Sequence, residues 1–135
     1  MCADKVKVAV RVRPFNRREI DLNTRAVVDM SNDGIQDQTV LYHPSTGITG
    51  KENSEHHGRK APKTFAFDHC FWSMDKAETR FASQEQVYNC LGKDVLQRAF
   101  EGYNACIFAY GQTGSGKSYT MMGSRSDKGI IPRLC

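Results

Sequence analysis

An α/β fold, a mixed sheet flanked by helices, is predicted by three features of this sequence. The segment "KVKVAVRVRP" (5–14) alternates valines with mostly basic residues, which is the period of a strand. The segment "SQEQVYNCLGKDVLQRAFEG" (83–102) carries an apolar stripe at helical spacing. The run "NACIFAY" (104–110) is apolar on both parities, as in a strand covered on both faces, and it leads into a glycine-rich loop. Strand, capped helix, buried strand, glycine loop and helix follow one another as they do in α/β proteins.

The elements are justified in order. In 5–14, Val6, Val8, Val10 and Val12 share one face of the strand, and Pro14 lacks the amide hydrogen needed to continue the ladder. "AVVDM" and "TVLYH" are short strands, with the turn chemistry of "SNDG" (Ser31 to Gly34) between them. Residues 43–63 contain three glycines, two prolines and no apolar period, so a long polar surface loop is expected there. His56 and His57 in that loop are neighbours that point apart on an extended chain, and are poorly placed to share a metal. "KTFAFDHCF" reads as one strand with an aromatic face of Phe65, Phe67 and Phe71.

Ser83 with Gln86 three residues later has the form of a capping box. Val87, Leu91, Val95 and Ala99, flanked by Tyr88, Leu96 and Phe100, form the buried stripe of that helix. Gly102 suits its end, and Gly92 is a mild defect inside it.

Composition narrows the class. The 135 residues are 39% hydrophobic and 25% charged, which suits a single globular domain. The longest apolar run, Ala105 to Tyr110, falls far short of the ~20 residues that cross a bilayer. The N-terminal residues lack the apolar core of a secretory signal, so an intracellular protein is expected. Five cysteines without a C-x-x-C suggest neither a disulfide framework nor a zinc site, and Cys90 and Cys106 lie in apolar patterns. A net charge of +4 permits an acidic partner without requiring one.

The loop after 104–110 carries the chemistry. Gly111, Gln112, Thr113, Gly114, Ser115, Gly116, Lys117 and Ser118 spell G-x-x-x-x-G-K-[ST]. Glycines let the backbone curl until its N–H groups face inward on a polyphosphate, with no Cβ in the way. A helix starting near Lys117 adds unpaired amides. Lys117 brings a full charge toward the β- and γ-phosphates, and the Ser118 hydroxyl suits one position on Mg²⁺. "RVRP" (11–14) has two readings. One is a platform of guanidinium and proline ring on which adenine stacks; the other, favoured by the pattern alone, is a strand end with solvated arginines. A second magnesium carboxylate is not evident, since Asp29 and Asp68 follow strands that are not fully buried.

These residues also carry a resemblance. "EGYNACIFAYGQTGSGKSYTMMG" followed by "GIIPR" resembles the phosphate-loop region of a kinesin motor domain. "KVKVAVRVRPFNRRE", "TFAFDHCFWSMD" and "SQEQVYNCLG" resemble the first strand, a strand with its loop, and the first long helix of that domain. "NRRE", "CFWSMD", "EGYNAC" and "KSYTMMG" are most similar to class-three kinesins, the cargo transporters. The resemblance implies a phosphate-loop NTPase-type mixed central sheet, the kinesin motor fold, with 1–135 as its N-terminal, nucleotide-binding part. It implies a microtubule-stimulated ATPase using ATP and Mg²⁺, with Lys117 and Ser118 in the catalytic roles. Arg11, Arg13 and Pro14 fall on the adenine side, with Tyr119 near the base, where other kinesins often have histidine. It implies a motor that is cytoplasmic, associated with the microtubule cytoskeleton and plus-end directed. Cargo or adaptors are taken through regions outside this stretch, and no nucleic acid is bound.

The alternatives are a phosphate-loop NTPase that is not a motor, and a truncated nucleotide-binding product without motor activity. Non-motor enzymes of the first kind commonly open with the loop after their first strand, whereas here several elements precede Gly111. By the resemblance, the switch segments, the main microtubule-binding elements and the neck lie beyond Cys135, so the stretch is expected to be the front part of a longer motor domain. The purified 135-residue chain is therefore expected to show no microtubule-stimulated hydrolysis of ATP. A soluble sample that hydrolyses ATP faster with microtubules than without them contradicts that expectation.

Overall fold

The computed structural model describes residues 6–44 and 61–135, and the chain divides into two compact units, 1–74 and 75–135. Most of the polar stretch 43–63, including His56 and His57, lies outside the described residues.

In the first unit, strand β1 (Ala9–Val12) ends before Pro14 and is followed by a short helix α1 (Arg17–Asp21). Strands β2 (Val28–Asn32) and β3 (Asp37–Leu41) form an antiparallel hairpin. Its turn is held by side chains. Asn32 Oδ1 accepts from the Gly34 amide at 2.7 Å, and Asp33 Oδ1 accepts from the Ile35 and Gln36 amides at 3.0 Å each. Gly34 has φ +83°, with nothing within 4 Å of where a Cβ would stand.

The segment expected to be one strand, "KTFAFDHCF", is two. Strand β4 (Lys63–Phe67) pairs antiparallel with β3, and β5 (His69–Trp72) pairs parallel with β1. The described strands thus form a three-stranded sheet β2-β3-β4 and a two-stranded sheet β1-β5. The break falls on Asp68. Its amide donates to the Val8 carbonyl at 3.0 Å, and its carboxylate accepts from the Val8 amide at 2.7 Å. Asp68 therefore moves the chain from one ladder to the other, and it has a structural partner of its own. The switch also splits the aromatic face: Phe71 is buried at 5% exposure whereas Phe65 is 45% exposed. Among the described residues of this unit, Met30, Phe71 and Trp72 are the buried apolar ones, joined by Thr39 and Ser73.

In the second unit, the expected helix over 83–102 is present as α2 (Gln84–Val87), a π-helical turn (Tyr88–Gly92) and α3 (Lys93–Phe100). Ser83 Oγ accepts from the Gln86 amide at 3.2 Å, the first half of the capping box. Gly102 ends the segment with φ +88°. Gly92 is not a defect. The Tyr88 ring lies against its Cα, and a Cβ there would meet ring atoms well inside van der Waals contact. The buried stripe is shorter than expected. Val87 is buried, Leu91, Val95 and Leu96 are half-buried, and Phe100 is 85% exposed.

The run 104–110 does not form the expected strand. It has no regular structure; Phe108 is 89% exposed, and Cys106, expected in an apolar setting, is exposed too. A strand that is apolar on both faces needs hydrogen-bonding neighbours and a covering layer on each side. Among the described residues no strand pairs with 104–110.

Beyond the loop come α4 (Lys117–Met121) and α5 (Ile130–Leu134), joined by a tight turn with a bridge between Gly123 and Lys128. Ile130, at 2% exposure, anchors α5, which packs on the π-helical turn. Gly123 has φ +73°, and a Cβ there would strike the Asp127 carbonyl and the Gly129 amide. Gly123→Ala is expected to lower stability by about 2–4 kcal/mol in urea unfolding, from backbone strain plus a clash with rigid main chain. Gly34→Ala, with a similar φ but open space, should cost about 1–2 kcal/mol. Equal losses at the two positions would contradict the close packing at Gly123.

Candidate nucleotide-binding site

The loop between Tyr110 and α4 is shaped by its glycines. Gly114 and Gly116 have φ +80° and +102°, conformations that other residues adopt only with strain. A Cβ at Gly111 would strike the Ser115 hydroxyl, so the first glycine is required for closure as well as for access. The Ser115 amide donates to the Gln112 carbonyl at 3.1 Å and closes the turn. The Lys117 ammonium donates to the carbonyls of Gly111 and Gln112, the second at 3.2 Å, so the charge is held over the mouth of its own loop.

The donor set fits a polyphosphate. Ser115 Oγ is buried with no hydrogen-bond partner, an orphaned polar group inside the curl. Gly116, the N-cap of α4, provides no side-chain cap, which leaves the first-turn amides for another acceptor. Ser118 is exposed in that first turn, where a lone pair of its hydroxyl is open to a cation. Among the described residues no cluster of three His, Cys, Asp or Glu side chains could hold a metal without such help.

Tyr119 is fixed at both ends. Its carbonyl accepts from the Gln84 side-chain amide at 2.7 Å, and its phenol donates to Asp127 Oδ2 at 2.7 Å. Gln84 is 2% exposed, so this bond satisfies a buried polar group and joins α2 to α4. Asp127 is itself held by the turn. Its amide donates to Ser124 Oγ at 3.1 Å, and its carbonyl accepts from the Ser124 amide at 2.9 Å. Arg133 of α5 reaches back, donating from Nε to the Lys128 carbonyl at 2.8 Å, with Nη2 lying 3.9 Å from Asp127 Oδ1.

In the first unit, "RVRP" is ordered by partners absent from the sequence reading. Arg11 Nε donates to the buried Ser73 hydroxyl at 2.9 Å. Arg13 forms a bidentate pair with Glu19, both contacts at 2.7 Å, and Nη1 also donates to the Pro14 carbonyl at 2.9 Å. Glu19 meanwhile closes a full capping box on α1. It accepts from the Asn16 amide at 2.8 Å while its own amide donates to Asn16 Oδ1 at 2.9 Å.

Asp127 and Glu19 were legible only in part. Asn16-x-x-Glu19 has the same capping-box form as Ser83-x-x-Gln86, and Ser124-x-x-Asp127 has the form of a side-chain-closed turn. Nothing in the sequence distinguishes Gln84 from the solvated glutamines around it.

An α/β protein with this loop is of the phosphate-loop class. The comparisons with known proteins sharpen that. The kinesin motor domain family matches residues 11–135. Kinesin-like protein KIF13A of Mus musculus and of Homo sapiens is 57% identical over 136 residues, covering 100% of this chain and 7% of that protein. Kinesin-like protein KIF13B of Homo sapiens is 55% identical over 132 residues, covering 97% of this chain and 7% of its own length. Among solved structures, KIF14 with ADP in complex with a microtubule superposes at a TM-score of 0.80 and 45% identity, covering 97% of this chain and 32% of that one. The chain belongs to the kinesin motor domain family, and it spans 7% of the length of these curated relatives. The similarity to KIF13A and KIF13B agrees with the class-three resemblance of the sequence.

The hydrogen bonds from Arg13, then from the Asn16 amide, draw the Glu19 carboxyl down from 4.5 to about 2. A lowered carboxyl stabilises the fold in full above about pH 4.5, and that contribution is lost as pH falls through about 2. The stability gap between the unmodified chain and Glu19→Gln is therefore expected to narrow across that window when thermal midpoints are followed against pH. A gap unchanged between pH 5 and pH 2 would refute the pairing.

Proposed function

We propose that this chain is the nucleotide-binding part, 1–135, of an ATP-driven microtubule motor. The observation that carries the reading is the closed loop of Gly111 to Ser118, with Lys117 held at its mouth and the α4 amides uncapped. ATP is the substrate. The main chain of Gly111, Gln112, Thr113, Gly114, Ser115 and Gly116 curls around the phosphates, and Lys117 moves from the loop carbonyls to the terminal phosphates. Ser118 would hold Mg²⁺, which supplies charge neutralisation on the β- and γ-oxygens. Arg11, Arg13, Pro14 and Tyr119 serve the base side. Water attacks the γ-phosphorus in line, and release of that phosphate relaxes elements that grip the track.

Family membership and the KIF14 structures, which hold ADP or AMP-PNP in complex with a microtubule, support this reading. The motor acts in the cytoplasm on the microtubule cytoskeleton, moves toward plus ends, and takes cargo or adaptors through parts of the protein outside 1–135. No described helix is long and apolar enough to cross a membrane. For the 135-residue chain alone, the reading is a fragment that binds nucleotide weakly or not at all and has no track-stimulated turnover.

Lys117→Ala in the complete motor domain is expected to lower microtubule-stimulated ATP turnover by at least ~10²-fold, because the loop loses its one full charge at the phosphates. Steady-state hydrolysis with and without microtubules measures it. Turnover at the unmodified rate would reject the site.

A further inference from the structure

Gln84 sits beside the exposed Glu85 and Gln86 in the first turn of α2, yet it is closed off from solvent at 2% exposure. It shares the buried face of that helix with Val87, at 1%. A buried amide needs a partner, and Gln84 Nε2 donates to the Tyr119 carbonyl at 2.7 Å. The acceptor is main chain, so the bond fixes the course of α4.

That helix needs a fixture. Five residues make few hydrogen bonds of their own. The ladder also stops early, because the amides of Met122 and Gly123 both turn to the Ser118 carbonyl, at 2.8 and 3.2 Å. In a continuing helix the Gly123 amide would serve Tyr119. The Gln84 side chain stands in its place. Further along, the Gly129 amide donates to the Met122 carbonyl at 3.0 Å, and a Cβ at Gly129 would strike the Thr120 carbonyl. The main chain of α4 is thus held by Gln84 of α2 and by Gly129 at the start of α5. Lys117 and Ser118 are the two residues immediately before Tyr119.

We propose that Gln84 is a positioning residue for the phosphate site, acting through the Tyr119 carbonyl to set Lys117 and Ser118 against the bound anion. This rests on the reading of Gly111 to Ser118 as that site. Buried as it is, Gln84 contacts no ligand and acts only through α4. Its loss therefore weakens every ligand that carries the phosphates by one factor, with or without a base.

The test uses the full-length protein with magnesium, titrated calorimetrically with ADP and with inorganic pyrophosphate. Gln84→Met keeps the shape of the side chain and removes the donor. Gln84→Asn keeps the amide but is one methylene too short to reach. Each is expected to weaken both ligands equally, by roughly 5- to 20-fold, the effect of one neutral hydrogen bond whose partner is left unsatisfied. Val87→Ala is the control for stability alone. It opens a cavity on the same face of α2, and should lower the unfolding temperature at least as much while leaving both affinities within about 2-fold. Undiminished pyrophosphate affinity in either folded Gln84 variant overturns the proposal, as does a loss confined to ADP or an equal loss in Val87→Ala. Lys117→Ala separates the proposal from the reading beneath it. If that variant binds both ligands as the unmodified protein does, the phosphate site is misassigned. If it weakens both while Gln84→Met does not, the site stands and the positioning role alone falls.

Discussion

An ammonium group held by the carbonyls of its own loop is the interaction on which the rest of the second unit depends. Lys117 can reach the Gly111 and Gln112 carbonyls only because the main chain between them turns back on itself. That turn needs positive φ at Gly114 and Gly116 and the absence of a Cβ at Gly111. The same curl buries the Ser115 hydroxyl without a partner and leaves α4 uncapped. An unsatisfied buried group costs stability, of order 1–3 kcal/mol. A loop that tolerates such groups while holding a charge at its mouth suits the polyphosphate proposed for it.

The surroundings of the loop hold it in place. Gln84 crosses from α2 to the Tyr119 carbonyl, and its burial makes that bond costly to break. Ile130 seats α5 on the π-helical turn, where Gly92 admits the Tyr88 ring. Gly123 and Ser124 shape the return from α4 to α5. The Gln84 and Ile130 contacts join segments some thirty to forty residues apart, so the second unit is tied together around one loop. In the first unit, a single carboxylate serves two tasks. Glu19 begins α1 and orients the Arg13 guanidinium, so the end of β1 and the start of α1 are set together.

The glycine loop was legible because its chemistry is local: eight consecutive residues set the turn, the charge and the hydroxyl. The strand at 9–12, the hairpin around Gly34 and the helix from Ser83 to Gly102 were legible for the same reason, since period, turn residues and caps act over a few positions. The resemblance to kinesin motor domains rested on such local runs, and the family match confirms it. Asp127 and Glu19 left partial traces as capping or turn patterns. Their second partners, Tyr119 and Arg13, could not be inferred from those patterns.

What the residues determined alone was therefore the strand at 9–12, the hairpin around Gly34, the helical segment from Ser83 and the glycine turn after Tyr110. The tertiary structure decided whatever depends on a partner distant in sequence. It divided 63–72 between two ladders, because Asp68 meets Val8 rather than continuing along β3. It left 104–110 outside any ladder, because an apolar strand forms only where neighbours accept its hydrogen bonds. It gave the buried Gln84 side chain the Tyr119 carbonyl to serve, 35 residues away. Backbone pairing and close packing are properties of two segments at once, and one segment's pattern specifies only its own half.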